Sequence, residues 1–231
     1  MEKQRFSERA VNKVIEVILS RLVDADRLQV RIKTTLNRLT QGEVDAITIH
    51  IHGYLLQPNL RVEAFLFDIG TAAVNVKSAM RRKIELLHPS TGVLCLTLTE
   101  TQFTDSLIAE LHPLTPTDSC NTLDCVTCTF AAEGTIALTW QWSNPDRVCS
   151  GQWIATPQVN LEDYTVELAS TVHGEPIPEH WLAPAIAHLR RTLNLCALAN
   201  QGTTFQVHTI AIATGKATVQ AHAHIDYVPS K

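Results

Sequence analysis

The sequence has few charged residues and lacks a long hydrophobic run. Only 18% of its 231 residues are charged and 45% are hydrophobic, a balance that favours an ordered chain with a large core. No apolar stretch approaches the ~18 residues that a membrane-spanning helix needs. The first residues show neither an apolar signal-peptide core nor a small-residue cleavage site, so we expect no secretory signal. These absences predict a cytoplasmic protein and leave peripheral membrane association open.

Basic residues do not outnumber acidic ones. The chain has 19 Lys and Arg against 23 Asp and Glu, which gives a formal net charge of −4. Nucleic-acid binding that depends on the release of phosphate counterions needs a basic surface. The composition therefore predicts no nucleic-acid partner, and it argues against docking on an anionic membrane by charge alone.

The sequence also lacks the motifs of the common enzyme classes. It contains no G-x-S-x-G, no H-E-x-x-H and no phosphate-binding loop, and each of these places a nucleophile, a metal or a phosphate in a defined local structure. Asp105 and Ser106 lie near the start of a predicted helix, and His112 follows that helix without an evident path back to Ser106. We predict a protein that is not an enzyme. An enzyme that uses none of these motifs is the remaining alternative.

Six cysteines are present, and three of them are closely spaced. Cys120, Cys125 and Cys128 have the C-x4-C-x2-C spacing of some iron–sulfur proteins, and Cys149 is a candidate fourth ligand. The segment lacks the glycines that would let the backbone approach the sulfurs. We predict free thiols in a loop over 112–128 and no cofactor, with a Cys-ligated metal or redox site as the alternative.

Blocks of helical periodicity alternate with blocks of strand periodicity. Helices are predicted over 8–23, 77–87, 100–111 and 179–193, and strands over 28–36, 47–52, 60–69, 93–99, 135–142, 152–159, 163–170, 203–214 and 216–228. The strict β-α alternation of a doubly wound fold is absent. The pattern predicts an α+β fold in which a long curved antiparallel sheet is partly wrapped around two to three helices.

One stretch, VLCLTLTETQFTDSL over 93–107, predicts a strand that runs directly into a helix. Its first half alternates as a half-buried strand does. Thr99 and Gln102 then have the spacing of a capping box, in which each side chain bonds to the backbone amide of the other residue. Phe103, Leu107 and Leu111 follow on one helical face. This helix is expected to pack its apolar face against the sheet.

Two pairs of histidines occupy alternate positions in predicted strands. His50 and His52 share one strand face, and His222 and His224 share another. Four imidazoles on adjacent strands could bind Zn²⁺ or Cu²⁺. The opposite faces of both strands are apolar, so we interpret the histidines as a solvated surface and predict no metal.

The order of these segments resembles the LmeA-like phospholipid-binding family. The resemblance rests on LQVRI, VDAITIHIHG, LRVEAFLFDI, LTLTETQFTDSL and the final hairpin GKATVQAHAHIDYVP, and it spans roughly residues 8–229. Two features depart from the family pattern. Extracytoplasmic members carry an N-terminal export signal, which is not visible here, and the cysteine-containing loop is not part of the pattern.

The resemblance implies a single domain over 1–231, with a tail over 1–7 and a loop insertion over 112–128. It implies phospholipid or other lipid binding without catalysis, and a loose relation to tubular lipid-binding folds. The candidate acyl-chain groove is lined by Val14, Ile18, Leu22, Phe65, Phe67, Phe103, Leu107, Leu111, Ile136, Leu138 and Trp140. The candidate headgroup contacts are Arg81, Arg82 and Lys83, or Arg190 and Arg191.

The alternative to a lipid groove is that these apolar faces form only a packed core. The protein would then be an interaction or scaffold domain without a ligand. Residue type does not separate the two interpretations, because groove and core use the same side chains. A membrane surface and a homo-oligomer stay open as further partners, since the edges of an open sheet can pair between chains.

Overall fold

The computed structural model describes residues 24–75, 86–112, 121–199 and 202–226. Within these ranges the chain forms two antiparallel sheets, a two-stranded ribbon and three helices. The predicted helix over 8–23 and most of the one over 77–87 lie outside the described residues. The predicted α+β class with a long antiparallel sheet is confirmed.

The larger sheet has six strands. In spatial order they are β1 (Arg27–Lys33), β3 (Ala46–Gln57), β4 (Leu60–Ile69), β6 (Ser90–Thr99), β12 (Lys216–Ile225) and β11 (Thr203–Ala213). All neighbours in this sheet are antiparallel. Because successive side chains point to opposite sides, the sheet has an inner face, which carries the buried Leu94 and Leu96, and an outer face, which carries Val93 and Cys95.

The smaller sheet was not predicted as a separate layer. It is formed by β7 (Thr122–Phe130), β8 (Ile136–Ser143), β9 (Val148–Asn160) and β10 (Thr165–Gly174), and the ribbon by β2 (Glu43–Val44) and β5 (Ala72–Ala73). The loop predicted over 112–128 is wrong from Thr122 onward. Val126, Cys128 and Phe130 are buried at alternate positions, which is the period of a strand, and the prediction of free thiols in a loop overlooked this period.

The three helices are α1 (Leu36–Thr40), α2 (Glu100–Leu111) and α3 (Glu179–Leu193). The direct passage from β6 into α2 is confirmed. The Thr99 hydroxyl accepts a hydrogen bond from the Gln102 amide at 3.3 Å, and the Gln102 side chain accepts one from the Thr99 amide at 3.2 Å. The short helix α1 was not predicted, because its first residue was included in the preceding strand.

Helix α2 joins the two sheets. It lies against β4 and β6 on one side and against β7 on the other. Its Glu100 carboxylate accepts a hydrogen bond from the Phe130 amide at 2.6 Å, and its Thr104 hydroxyl accepts one from the Cys128 amide at 2.9 Å. Since β7 is the last strand in its sheet, these side chains satisfy edge amides that would otherwise need another partner.

Candidate functional site

The predicted groove residues that the structure describes come together in one packed cluster. Phe65, Phe103, Leu107, Leu111, Ile136, Leu138 and Trp140 all belong to the continuous hydrophobic core, and the half-buried Phe67 packs against it. The exposed fractions of Phe103, Leu107 and Trp140 are 0%. An acyl chain could reach these side chains only by separating them. Their role in lipid binding stays a prediction, and Val14, Ile18 and Leu22 lie outside the described residues.

The predicted headgroup contacts fall in two places. Arg81, Arg82 and Lys83 lie outside the described residues. Arg191 is in an ion pair with Glu110, with 2.7 Å between nitrogen and oxygen, and so connects α3 to α2. Arg190 is exposed next to it. Headgroup binding by these residues also stays a prediction.

A depression of about 850 Å³ lies on the outer face of the larger sheet. Its volume is within the range typical of small-molecule sites. It crosses five adjacent strands, from β3 to β11. The lining residues are Ala46, Thr48, Asp68, Ile69, Gly70, Thr91, Gly92, Val93, Thr204, Gln206, His222, Ala223 and His224.

The register of the sheet brings these residues together from distant parts of the chain. One row of directly opposed residues runs through Thr48, Asp68, Val93, His222 and Gln206. Val93 in the middle of the row is 44% exposed. Hydroxyl, carboxylate, imidazole and amide groups thus surround an apolar centre. Such a surface can contact hydrocarbon and form hydrogen bonds with the same ligand.

Two histidines of the depression have close neighbours. The ring of His222 lies 4.5 Å from that of His208, centroid to centroid, and Nε2 of His224 lies 3.1 Å from a carboxylate oxygen of Asp226. Burial, and then the nearby His222, lower the pKa of His208. Asp68, by contrast, has no ion-pair partner within the described ranges.

The two predicted histidine pairs do not form a metal site. His50 and His52 lie on β3, and His222 and His224 lie on β12, with β4 and β6 between these two strands. A four-imidazole site required these two strands to be adjacent, and they are not. Within the described ranges, no group of three or more His, Cys, Asp and Glu side chains is arranged to hold a metal ion.

The described part of the cysteine motif does not converge either. Cys125 is exposed and Cys128 is buried, although both lie on β7. Burial, and secondarily the charge of Glu100, raise the pKa of the Cys128 thiol, which opposes the thiolate form that a metal requires. Cys149 is buried on β9, and Cys120 lies outside the described residues.

A contact between Ser106 and His188 was not predicted from the sequence. Oγ of Ser106 lies 2.9 Å from Nε2 of His188, and each residue is 1% exposed. Burial chiefly lowers the pKa of His188, and its Nδ1 has no hydrogen-bond partner among the residues that the structure describes. A nucleophilic serine needs access to substrate and a base oriented by a third group, so we interpret this contact as a bond between α2 and α3.

A signal for this contact is visible in hindsight. His188 lies three residues after Ala185 and four before Thr192, and all three side chains are buried on one face of α3. A histidine at a buried helical spacing indicates a polar partner in the core. The identity of that partner depends on how α2 and α3 pack, which the sequence does not show.

Comparison with known proteins gives one family and no individual relative. A family model described as LmeA-like phospholipid-binding matches residues 3–222, which confirms the family predicted from the sequence. No curated protein and no solved structure matches the chain. Of the helices that the structure describes, none has the length and apolar character needed to span a bilayer.

Proposed function

The chain belongs to the LmeA-like phospholipid-binding family, and on that premise we propose that it binds a phospholipid and leaves it chemically unchanged. The observation that carries the proposal is the depression on the outer face of the larger sheet. It is open, about 850 Å³ in volume and lined by both apolar and hydrogen-bonding side chains. A phospholipid presents the same two kinds of surface.

The apolar part of the depression would hold hydrocarbon. Val93, Ile69 and Ala46 contribute apolar surface there, and each methylene removed from water contributes about 0.8 kcal/mol. The hydroxyls of Thr48 and Thr91 would bind oxygens of the glycerol or headgroup. This arrangement needs no opening of the core, whereas an acyl chain at Phe103 and Leu107 would have to displace side chains that are 0% exposed.

The proposal includes no chemical step on the lipid, and the position of the Ser106–His188 contact supports this. The contact combines a serine hydroxyl with an imidazole, but both residues are 1% exposed. A lipid ester bound in the depression would lie on the opposite side of the sheet from them, because α2 packs on β4 and β6 from the inner face.

Lipid retention by matched variants tests the proposal. Protein purified from a membrane-containing host would be examined by native mass spectrometry, and bound lipid would be extracted and quantified. Val93→Glu places a carboxylate in the apolar centre of the depression and should reduce retained phospholipid severalfold, because a charge in contact with hydrocarbon is unfavourable. Val172→Glu is the control, since Val172 is similarly exposed, at 50%, but lies on β10 of the smaller sheet.

Equal lipid retention by the two variants would contradict binding in the depression. A wild-type protein that retains no lipid and takes none up from vesicles would contradict phospholipid binding altogether. That second result would instead favour a ligand-free interaction domain, the alternative that is supported by the burial of most of the described groove residues.

A further inference from the structure

Three cations on β1 differ from most of the other cations that the structure describes. The described ranges contain nine Lys and Arg residues, and five of them form ion pairs: Arg38, Arg61, Arg147, Arg191 and Lys216. Of the remaining four, three lie on one face of one strand. These three are Arg27, Arg31 and Lys33, which are all exposed; together they are called the β1 cationic stripe.

The β1 cationic stripe borders the depression. Arg31 is directly opposite Thr48, and Lys33 is directly opposite Ala46, and both of these partners line the depression. From its first to its last cation the stripe extends about 20 Å, at the rise of a β-strand. In the row of opposed residues that starts at Arg31, the carboxylate is that of Asp68. Asp68 lies two strands away from Arg31, a separation of about 10 Å.

We propose that the β1 cationic stripe docks the protein on an anionic phospholipid bilayer, with the mouth of the depression next to the headgroups. This proposal rests on the proposed function, because the bilayer would be the source of the lipid that the depression binds. Three cations in a line about 20 Å long cannot converge on a single phosphate. They match a surface that presents many phosphates, and Lys and Arg near such a surface are attracted to it.

A bilayer fits this face better than a nucleic acid does. Proteins that bind single strands combine cations with aromatic side chains on which the bases stack. The outward positions opposite the stripe are occupied by Ala46, Thr48, His50 and His52, so no Phe, Tyr or Trp accompanies the cations there. The net charge of −4 predicted no docking by charge alone, but charges farther away than a Debye length of about 8 Å are largely screened, so the local charge of the stripe outweighs it at a membrane surface.

Neutralising the stripe should weaken binding to anionic vesicles. Each Lys or Arg near the surface corresponds to about a fivefold change in affinity. The triple variant Arg27→Gln/Arg31→Gln/Lys33→Gln should therefore bind vesicles of phosphatidylcholine with phosphatidylserine roughly a hundredfold more weakly. Flotation of vesicles with and without phosphatidylserine measures this. Wild-type binding should also fall as sodium chloride is raised, a readout that needs no variant.

A second triple variant controls for net charge. Arg61→Gln/Arg147→Gln/Lys216→Gln removes the same number of charges from three other surface positions, each in an ion pair, and should bind anionic vesicles as the wild type does. Equal losses in both triple variants, or no loss in the stripe variant, would overturn the proposal. Wild-type binding that does not depend on phosphatidylserine or salt would overturn it as well.

Two further measurements separate this proposal from others. The stripe variant and the wild type should bind monomeric short-chain phosphatidylcholine equally well. If the wild type does not bind this lipid at all, that result counts against the proposed function and not against docking. An equally strong, stripe-dependent affinity for single-stranded RNA would show a general polyanion surface and would overturn the assignment to a bilayer.

Discussion

The two faces of the larger sheet are formed by the same strands, but their side chains differ in burial. On the inner face of β6, Leu94 and Leu96 are 0% exposed and pack in the core with α2. On the outer face, one residue away in sequence, Val93 is 44% exposed. On β12, Val219 is buried and His222 is exposed in the same way.

This difference separates stability from binding. Inner-face side chains are surrounded by the second sheet and the helices, so a change there disturbs the whole packed core. Outer-face side chains of the depression contact few neighbours and can vary with little effect on folding. The proposed lipid site uses the face that the core does not need. Substitutions on the two faces should therefore have separable effects.

The largest expected effect is that of Leu107→Asp. Leu107 is 0% exposed on the inner side of α2, and an unpaired carboxylate there should cost several kcal/mol of a total stability of about 5–15 kcal/mol. Ile108→Asp is the control, because Ile108 is the next residue and is 44% exposed. Urea unfolding of the two variants measures the difference. Similar midpoints would show that the inner face tolerates charge and that the two faces are not distinct.

A smaller loss is expected for Gly92→Ala. A Cβ at Gly92 would lie 2.7 Å from the Asp68 carbonyl oxygen and 2.8 Å from Cε2 of Phe67, and such overpacking costs about 1–3 kcal/mol. At Gly70, which also lines the depression, a Cβ would meet only the Thr91 carbonyl oxygen, at 3.5 Å. Gly70→Ala should melt like the wild type. The thermal midpoints of both variants check this, and a Gly92→Ala protein as stable as the wild type would show that β4 and β6 can separate there.

Lowering the pH should reduce the free energy of unfolding through His188, which is buried on α3. Its pKa is lowered, chiefly by burial, so as pH falls below the ordinary value of about 6.5 the unfolded chain binds a proton that the native state does not. The free energy of unfolding should therefore be highest above that pH and decrease as pH falls. In His188→Gln this part of the slope should be absent. Urea unfolding of both proteins about one unit above and one unit below pH 6.5 measures this difference. An equal change of the free energy of unfolding with pH in the wild type and in His188→Gln would contradict a buried neutral imidazole.

The smallest expected effect is at the junction where β6 enters α2. Thr99→Ala removes the hydroxyl that accepts from the Gln102 amide and should cost about 1 kcal/mol. Thr99→Ser keeps the hydroxyl and should retain most of the stability. The change concerns only the first turn of α2, so phospholipid retention should be unaffected in both variants. A loss of lipid in Thr99→Ala alone would mean that α2 contributes to the binding site.

Elements whose signals are local were predicted well. The strand at Leu60–Ile69, the helix at Glu179–Leu193 and the capping box at Thr99 were all recognised from neighbouring residues. Failures occurred where a local signal had two interpretations. The strand at Thr122–Phe130 was interpreted as a cysteine loop, and the histidine pairs were open to interpretation as metal ligands until the strand order was known.

The sequence alone determined most of the elements, their apolar faces and the family, because alternation, helical spacing and caps are set by residues within a few positions of one another. Only the tertiary structure decided which faces became core and which stayed open. The Ser106–His188 contact, the row from Arg31 through Val93 to Gln206 and the depression around it all depend on strand order and register. Strand order and register are set by packing between segments far apart in the chain, and the pattern within one strand is compatible with many partners.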